Sequence, residues 1–359
     1  MNNPGHVLII AEAGVNHNGS LDMALQLVDA ALNAKADIVK FQIFDSTMLT
    51  TRQAEKADYQ KASGDRNQNQ QTMLKALELS HEDFIKISQY CHDKGIEFLA
   101  TAFDEPSLDF MLSELHVKRL KIPSGELTNL PFILRHAQSG LPLILSTGMA
   151  SEEEIQEALA TVAFAIRYPD REPVSREELA AALKNIPHDT LSNRVTILQC
   201  TTAYPTADQD ANLRVIPRLS KRFRCPVGFS DHTADIFATP LAVAAGATVI
   251  EKHFTLSRNL PGPDHQASLE ADELRQLVDA IRRTETLLGS AEKRASPAEA
   301  INMQAARKSL VAAQRIKSGQ TLTARDITAK RPGNGLSPAC YWDTINTIAS
   351  KDYDQDEFI

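Results

Sequence analysis

The chain has 359 residues, 43% of them apolar and 23% charged, with a mean hydropathy of -0.26, a makeup that excludes disorder as its main state. Thirty-eight Lys and Arg against 46 Asp and Glu leave a net charge of -8, so no basic field gathers a polyanion and nucleic acid is not an expected partner. No stretch approaches the roughly 18 apolar residues that cross a bilayer, which predicts no membrane association.

Met1 to His6 carry no cationic n-region, and the apolar run Val7 to Ile10 stops at Glu12, too early for a signal h-region. Cys91, Cys200, Cys225 and Cys340 are scattered without a C-x-x-C pair, which predicts reduced thiols and a cytoplasmic protein. Eight runs rich in Val, Ile and Leu follow, at 7–13, 36–44, 97–103, 119–124, 142–148, 195–201, 226–231 and 248–254. Near-continuous apolar runs suit strands buried on both faces of a parallel sheet. The segments between them read as helices. Leu21, Leu25, Val28 and Leu32 form one stripe, and Ser80, Ser151 and Ser175 each precede an acidic residue three positions on, as at a helix start.

Eight such units within residues 1–288 favour a (β/α)8 TIM barrel over an open doubly wound sheet, whose G-x-G-x-x-G fingerprint is missing after the first strand. The long connection 45–96 has a polar middle, Lys61 to Gln71, read as an active-site lid, with a disordered surface excursion as the alternative. Residues 166–194 form a second insertion, expected to be a surface helix. A linker at 289–304, with a capped helix start at Ser296-Pro297, leads to a small domain over 305–359. A unit that small has little core of its own, so it is expected to dock on the barrel or on a neighbouring subunit.

Polar side chains collect at the C-terminal strand ends, where such barrels carry their chemistry. They are Glu12, Lys40 with Gln42, Thr101, Lys121 with Ser124 and Glu126, Ser146, Thr202, Ser230 with His232, and Glu251 with His253. Strands seven and eight are neighbours, so His232 and His253 can converge on a divalent cation such as Mn2+, Fe2+, Co2+ or Zn2+; the alternative is a pair of satisfied or proton-shuttling imidazoles. Lys40 and Lys121 interrupt apolar strands, where an ammonium needs an anionic partner. With Ser124, Ser146 and Ser230 they read as a phosphate or carboxylate cradle, against a structural ion pair with Glu12 or Glu251. Schiff-base chemistry would duplicate the carbonyl polarisation of a metal and is less favoured. Cys200 reads as a buried structural thiol rather than a nucleophile. Tyr204-Pro205-Thr206 walls the pocket or only makes a turn.

IIAEAGVNHNG (9–19), VKFQ (39–42), KIPSGELTNLP (121–131), LSTGM (145–149), CTTAYPT (200–206), GFSDHT (228–233), EKHF (251–254), GPDH (262–265) and KRPGNG (330–335) follow one another along the chain. In this order they resemble the bacterial sialic acid synthases, together with the closely similar legionaminic acid synthases. The resemblance spans nearly the whole chain. It implies a barrel followed by an antifreeze-like (SAF, β-clip) domain, and a transferase of carbohydrate biosynthesis.

Carried over position by position, the resemblance implies that His232 and His253 hold the divalent metal, Mn2+ with Mg2+ or Co2+ as substitutes. Lys40, Thr101, Lys121, Ser124, Ser146 and Ser230 match positions that bind phosphoenolpyruvate. Gln42, Glu126, Tyr204 and Asp264 match those around the amino sugar, and Glu12 matches an essential acid, with Glu251 as a second catalytic candidate. Arg331 matches an arginine of the sugar site that one protomer inserts into the barrel of the other, making a domain-swapped homodimer. The implied reaction joins phosphoenolpyruvate to N-acetylmannosamine, giving N-acetylneuraminate and phosphate; the alternative is the same reaction on 2,4-diacetamido-2,4,6-trideoxymannose. The loop Gly64-Asp65-Arg66-Asn67 does not align with the family's sugar-contacting Asn. A metal-dependent hydrolase and an inert carbohydrate- or ice-binding protein are the rivals, and the clustered strand-end charges argue against the second.

Overall fold

Eight parallel strands close on themselves in the computed structural model, which describes residues 6–51, 53–56 and 69–359. They are β1 (Leu8–Gly14), β2 (Ile38–Ile43), β3 (Glu97–Ala102), β4 (Leu120–Ile122), β5 (Leu143–Ser146), β6 (Val195–Cys200), β7 (Val227–Asp231) and β8 (Val249–Thr255). Each pairs with the next, and β8 pairs back onto β1 with Leu8 beside Val249 and Glu12 beside His253. This is the expected (β/α)8 barrel. A two-residue β9 (Leu269–Glu270), which no hydrophobic run signals, extends the pairing from the end of β8. The run 119–124 shortens to three strand residues because Pro123 has no N–H to give and Ser124–Glu126 turns into a 3-10 helix.

The capping serines act as their spacing predicts. Ser80 and Ser151 form full capping boxes with Asp83 and Glu154, and Ser175 accepts from the Glu178 N–H. The first helix, Leu21–Asn33, turns a different face inward from the leucine stripe. Ala24, Leu27, Val28 and Ala31 are its buried residues, while Leu21, Leu25 and Leu32 pack at the margin. Two alanines let this helix approach the strands closely and displace the longer side chains to its flanks. Residues 166–194 hold two helices rather than one, Arg176–Asn185 and His188–Ser192, the first anchored by buried Leu179 and Ala182. Of the expected lid, residues 61–68 lie outside the described residues, as does Gly64-Asp65-Arg66-Asn67; Asn69 caps the short helix Gln70–Lys75.

Period-two alternation sorts each strand between two environments. Outward residues such as Ile9, Ala11, Val39 and Phe41 join the core between strands and helices. Inward residues build a lumen in layers. Ile10, Ile38, Leu99, Ile144, Leu198 and Val249 make an apolar plug, and two positions further along several of these strands stand Glu12, Lys40, Thr101, Ser146 and Glu251. Gly228 belongs to the plug, since a Cβ there would meet the Val249 carbonyl at 2.4 Å and Leu198 at 2.5 Å.

The chain divides into two compact units, Met1–Gly289 and Ser290–Ile359. In the second, the helix Pro297–Ala306 starts with a capping box from Ser296 and Glu299. Antiparallel β10 (Ser309–Ala312) and β11 (Ile327–Lys330) follow. Bridges such as Ile316 to Tyr353 and Thr321 to Ile348 fold the rest of this unit around a core of Leu310, Ala312, Ile316, Leu322, Ile327, Ala349 and Tyr353.

His136 is fully buried on the helix Leu130–Gln138, where Nδ1 donates to the Phe132 carbonyl at 2.8 Å and Nε2 has no partner. Burial pushes its pKa down to about 4. The unfolded chain binds this proton below pH 6.5 and the folded chain resists it until about 4, so stability is lost as pH falls through that window, by about 1.4 kcal/mol per pH unit for one such histidine. Urea unfolding at pH 7.5 and 5.0 is expected to show this loss, and His136→Leu to reduce its slope; an unchanged slope would refute the assignment.

Candidate active site

The charged layer of the lumen is a cross-strand cluster. Glu12 on β1 lies beside Lys40 on β2 in the strand register, and its Oε2 stands 2.7 Å from Lys40 Nζ. Lys40 also donates to Thr101 Oγ1 at 3.2 Å and lies 3.7 Å from Glu251. Lys121 reaches the other oxygen of Glu251 at 3.5 Å, and Ser230 donates to that same oxygen at 2.8 Å. Gln42 donates to Glu12 Oε1 at 3.2 Å. Both lysines and both glutamates are buried, so the two alternatives open for the lysines, an anion cradle or a structural ion pair, share the same atoms.

Burial is the largest influence on each of the four, and their surroundings then separate them. For Glu251, burial raises the pKa, but Lys121, Lys40 and the Ser230 hydroxyl outweigh it and bring the value to about 2. For Glu12, burial prevails over Lys40, and the carboxyl sits above its ordinary range. For Lys40, the Glu12 and Glu251 carboxylates overcome burial and raise the ammonium. Lys121 has only partial compensation from Glu251, and burial leaves it lowered.

His232 and His253 meet across β7 and β8 with ring centroids 5.5 Å apart. His232 Nδ1 donates to the Thr201 carbonyl at 2.7 Å, which leaves Nε2 with its lone pair. Ser230 Oγ is 3.3 Å from that nitrogen, but its single proton goes to Glu251. His253 Nδ1 is buried with no hydrogen-bond partner and lies 3.8 Å from Asp264 Oδ2. Burial keeps both rings neutral, and for His253 the adjacent His232 adds to the effect. Two neutral imidazoles with lone pairs suit a divalent cation. Among the described residues no group of three or more His, Cys, Asp or Glu stands ready to enclose one. The pair therefore fits an open, catalytic type of site, completed by water and substrate, better than a closed structural one. Behind it, on the outward face, Lys252 and Asp231 pair at 3.0 Å, and Lys252 donates to the Thr233 and Asp235 carbonyls, fastening the two strand ends together.

Beyond β5 the backbone makes a small concavity that sequence reading did not find. A Cβ on Gly148 would lie 2.3 Å from Thr202 Oγ1, 2.9 Å from Ser124 Oγ and 3.1 Å from Cys200 Sγ. The Gly148 N–H donates to both Ser124 Oγ and Cys200 Sγ. Cys200 is thus a buried thiol, as expected, and also a wall of the cavity. Ser146 Oγ is buried beside it with no partner.

Asp264 closes the opposite side. Its carboxyl is pushed up to about 7 by burial and then by Glu12. The loop that carries it is clasped to the turn after β1. Asn18 donates to the Pro261 carbonyl at 2.8 Å; His265 contacts Thr255 Oγ1 at 2.7 Å and Asn18 Oδ1 at 3.1 Å; Asn16 reaches Ser268, whose hydroxyl donates to the Asp264 carbonyl. Nothing in the spacing of NHNG and GPDH foretells this contact across 247 positions.

These groups line one cavity of about 410 Å3, which also takes in Tyr204, its ring 4.2 Å from that of His232. Of the expected site residues in the barrel unit, all but Glu126 line it. Glu126 instead accepts from Asn129 at the start of the next helix. Arg331 lies in the second unit, exposed, with Nε donating to the Ala306 carbonyl. No helix among the described residues is long and apolar enough to cross a membrane.

A barrel whose lumen opens on paired lysines and carboxylates beside two neutral histidines is the frame of a lyase or synthase acting on an anionic substrate. Residues 27–293 match the NeuB family and residues 307–352 the SAF domain. The chain is 44% identical to the N,N'-diacetyllegionaminic acid synthase of Legionella pneumophila, over 92% of this chain and 87% of that one. It is 42% identical to the synthase of the same name from Campylobacter jejuni, over 98% of both. A crystal structure of N-acetylneuraminic acid synthetase from Leptospira borgpetersenii superposes with a TM-score of 0.67 at 32% identity, covering 83% of this chain and 90% of that one. The chain belongs to the NeuB family, and it is a phosphoenolpyruvate-utilising, aldol-type synthase of that family.

The clasp on Asp264 has a measurable weight. His265→Ala removes both ring contacts and leaves the buried Thr255 hydroxyl with Ser257 as its partner, at a cost of about 0.5–1.5 kcal/mol for each hydrogen bond lost. Urea denaturation is expected to show that loss with the far-ultraviolet spectrum unchanged; a variant as stable as the parent would show that the clasp holds nothing.

Proposed function

We propose that the chain condenses phosphoenolpyruvate and water with 2,4-diacetamido-2,4,6-trideoxymannose, giving N,N'-diacetyllegionaminic acid and phosphate. The observation that carries this choice of sugar is the identity of 44% and 42% to two synthases of that name over nearly the full chain, against 32% to the sialic acid synthetase. N-Acetylmannosamine, the sugar of the first expectation, has the weaker support.

In this reading Lys40 and Lys121 take the phosphate and carboxylate of phosphoenolpyruvate, with Thr101, Ser124, Ser146 and Ser230 beside them as polar contacts. Gln42, Tyr204 and Asp264 face the sugar, and Glu126 belongs to its outer surroundings. The enol carbon C3 attacks the open-chain aldehyde at C1, and a new carbon–carbon bond forms as the aldehyde C=O opens to an alkoxide that takes up a proton. Water adds to the cationic C2 and gives its proton to a carboxylate. The resulting tetrahedral carbon loses phosphate by C–O cleavage as its hydroxyl becomes the ketone.

The separated carboxyl groups suggest who does what. Glu251, held ionised by two lysines, is the fixed counter-charge. Glu12, with its raised affinity for a proton, takes the proton from water. Lys40, Lys121, Glu12 and Glu251 sum to no net charge, so an incoming phosphate and carboxylate need further positive groups. A divalent ion held by His232 and His253, Mn2+ with Mg2+ or Co2+ as substitutes, would supply Lewis-acid polarisation of the sugar aldehyde. A second positive group in this reading is Arg331 of the partner subunit, which contacts the sugar in a domain-swapped homodimer.

Phosphate release from phosphoenolpyruvate is expected with 2,4-diacetamido-2,4,6-trideoxymannose, at a rate at least about tenfold above that with N-acetylmannosamine, and is abolished by EDTA; release with N-acetylmannosamine alone would return the chain to sialic acid synthesis. The swap has its own test. Glu12→Gln and Arg331→Ala proteins are each expected to be weak, but mixing them under subunit exchange should restore activity, because one barrel then keeps Glu12 and receives an intact arginine. Activity that stays at the sum of the two would exclude the swap.

A further inference from the structure

The cavity has two chemically opposite sides, and the reaction as drawn uses only one. Facing the charged floor is an apolar wall made of Phe44, Leu49, Met73, Leu74, Leu77 and Phe103. These residues lie outside the barrel's main core. Five of them, with Val15, form a separate cluster, and Met73 joins them at the cavity. Phe44 and Leu49 follow the end of β2, Phe103 follows β3, and the rest come from the helix Gln70–Lys75 and the turn after it. Phe44 and Phe103 meet edge to face at 6.2 Å, which fixes the shape of the wall.

Phosphoenolpyruvate has no part that suits such a surface. It is three carbons bearing a phosphate and a carboxylate, and both groups seek the lysines. The wall therefore faces the other reactant. The sugar's aldehyde carbon must meet the enol carbon at the floor, beside His253 and Asp264, so its C4 to C6 end points toward the rim. In N-acetylmannosamine that end is hydroxyls throughout. In a diacetamido-trideoxy sugar it carries an acetamido group at C4 and a methyl at C6.

We infer that this wall, built by the connection between β2 and β3 and completed by Phe103 after β3, is the subsite for the C4 acetyl and C6 methyl groups, and that it selects acylated deoxy sugars over hydroxylated ones. The inference rests on the function proposed above and adds the residues that choose the sugar. An apolar surface discriminates against an added hydroxyl by roughly 10- to 200-fold at most. That bounds the selectivity it supplies.

Leu49 and Leu74 are only partly buried, so a change there is less disruptive to folding than one at Phe44 or Leu77. Leu74→Asn and Leu49→Asn, with Leu74→Met as the apolar control, are compared with the parent using both sugars at saturating phosphoenolpyruvate and Mn2+. For the Asn variants kcat/KM with the diacetamido sugar is expected to fall roughly 10- to 200-fold, mostly through KM. With N-acetylmannosamine it should change little, the KM for phosphoenolpyruvate should hold, and Leu74→Met should stay close to the parent. If the parent prefers the diacetamido sugar and both Asn variants keep that preference, the wall is not the subsite although the proposed function stands. If the parent prefers N-acetylmannosamine, the proposed function fails and this inference with it. Equal losses on both sugars would mark a folding defect and also overturn the assignment.

Discussion

Two ammonium groups and two carboxylates are held out of water in the lumen of this barrel, and the rest of the site depends on their being paired. Removing one partner from such a cluster costs several kcal/mol, because the remaining charge is left buried and uncompensated. The pairing is a product of register. Glu12 lies beside Lys40 and, on its other side, beside His253; Ser230 lies beside Glu251. A shift of one residue on any of these strands would turn its polar group out into the hydrophobic layer beneath the helices. The apolar plug of Ile10, Ile38, Leu99, Ile144, Leu198 and Val249 secures the same register from below. Core packing and catalytic geometry are thus fixed by one alternation.

The cluster is paired without being fully satisfied. Lys121 is depressed by burial and Glu12 is raised by it. Both states are costly reserves that an anionic ligand can relieve, Lys121 by gaining a phosphate or carboxylate and Glu12 by gaining a proton. Ser146 Oγ and His253 Nδ1 are likewise buried and unpartnered. These orphan atoms lie at the strand ends around one cavity, whereas the outward-facing pair Lys252 and Asp231 is closed by carbonyls and hydroxyls. The contrast separates groups kept open for ligands from groups that hold the frame.

Much of this was legible in the sequence, and for physical reasons. A parallel strand buried on both faces must be apolar, so a lysine or glutamate within it stands out, and period two tells which polar residues share a side. That reasoning found the strands, the polar strand ends and the convergence of His232 with His253. It did not find the cradle at Gly148, whose meaning lies in the space its missing Cβ leaves to Thr202, Ser124 and Cys200. Nor did it find the clasp of Asn18 on His265, which depends on two loops meeting. Position along a strand end also overstated Glu126, which a 3-10 turn directs to Asn129 instead. The inward face of Leu21–Asn33 shares Val28 with the leucine stripe and otherwise takes Ala24, Leu27 and Ala31, because close packing against strands ranks residues by size rather than by hydrophobicity.

The connection from β2 to β3 bears on how such a site can change. Strands are bound to their neighbours by register, so a substitution in the lumen disturbs two pairings at once. The connection from β2 to β3 has no such constraint. Its Phe44, Leu49, Leu74 and Leu77 join Val15 after β1 and Phe103 after β3 in a small cluster packed apart from the main core. Substitutions there can alter the chemistry of the rim without unpairing Lys40 from Glu12. On the proposed function, the handling of phosphoenolpyruvate, which must stay constant, falls where the fold tolerates least variation. On the inferred subsite, selection among sugars falls to side chains whose replacement leaves the charged floor intact.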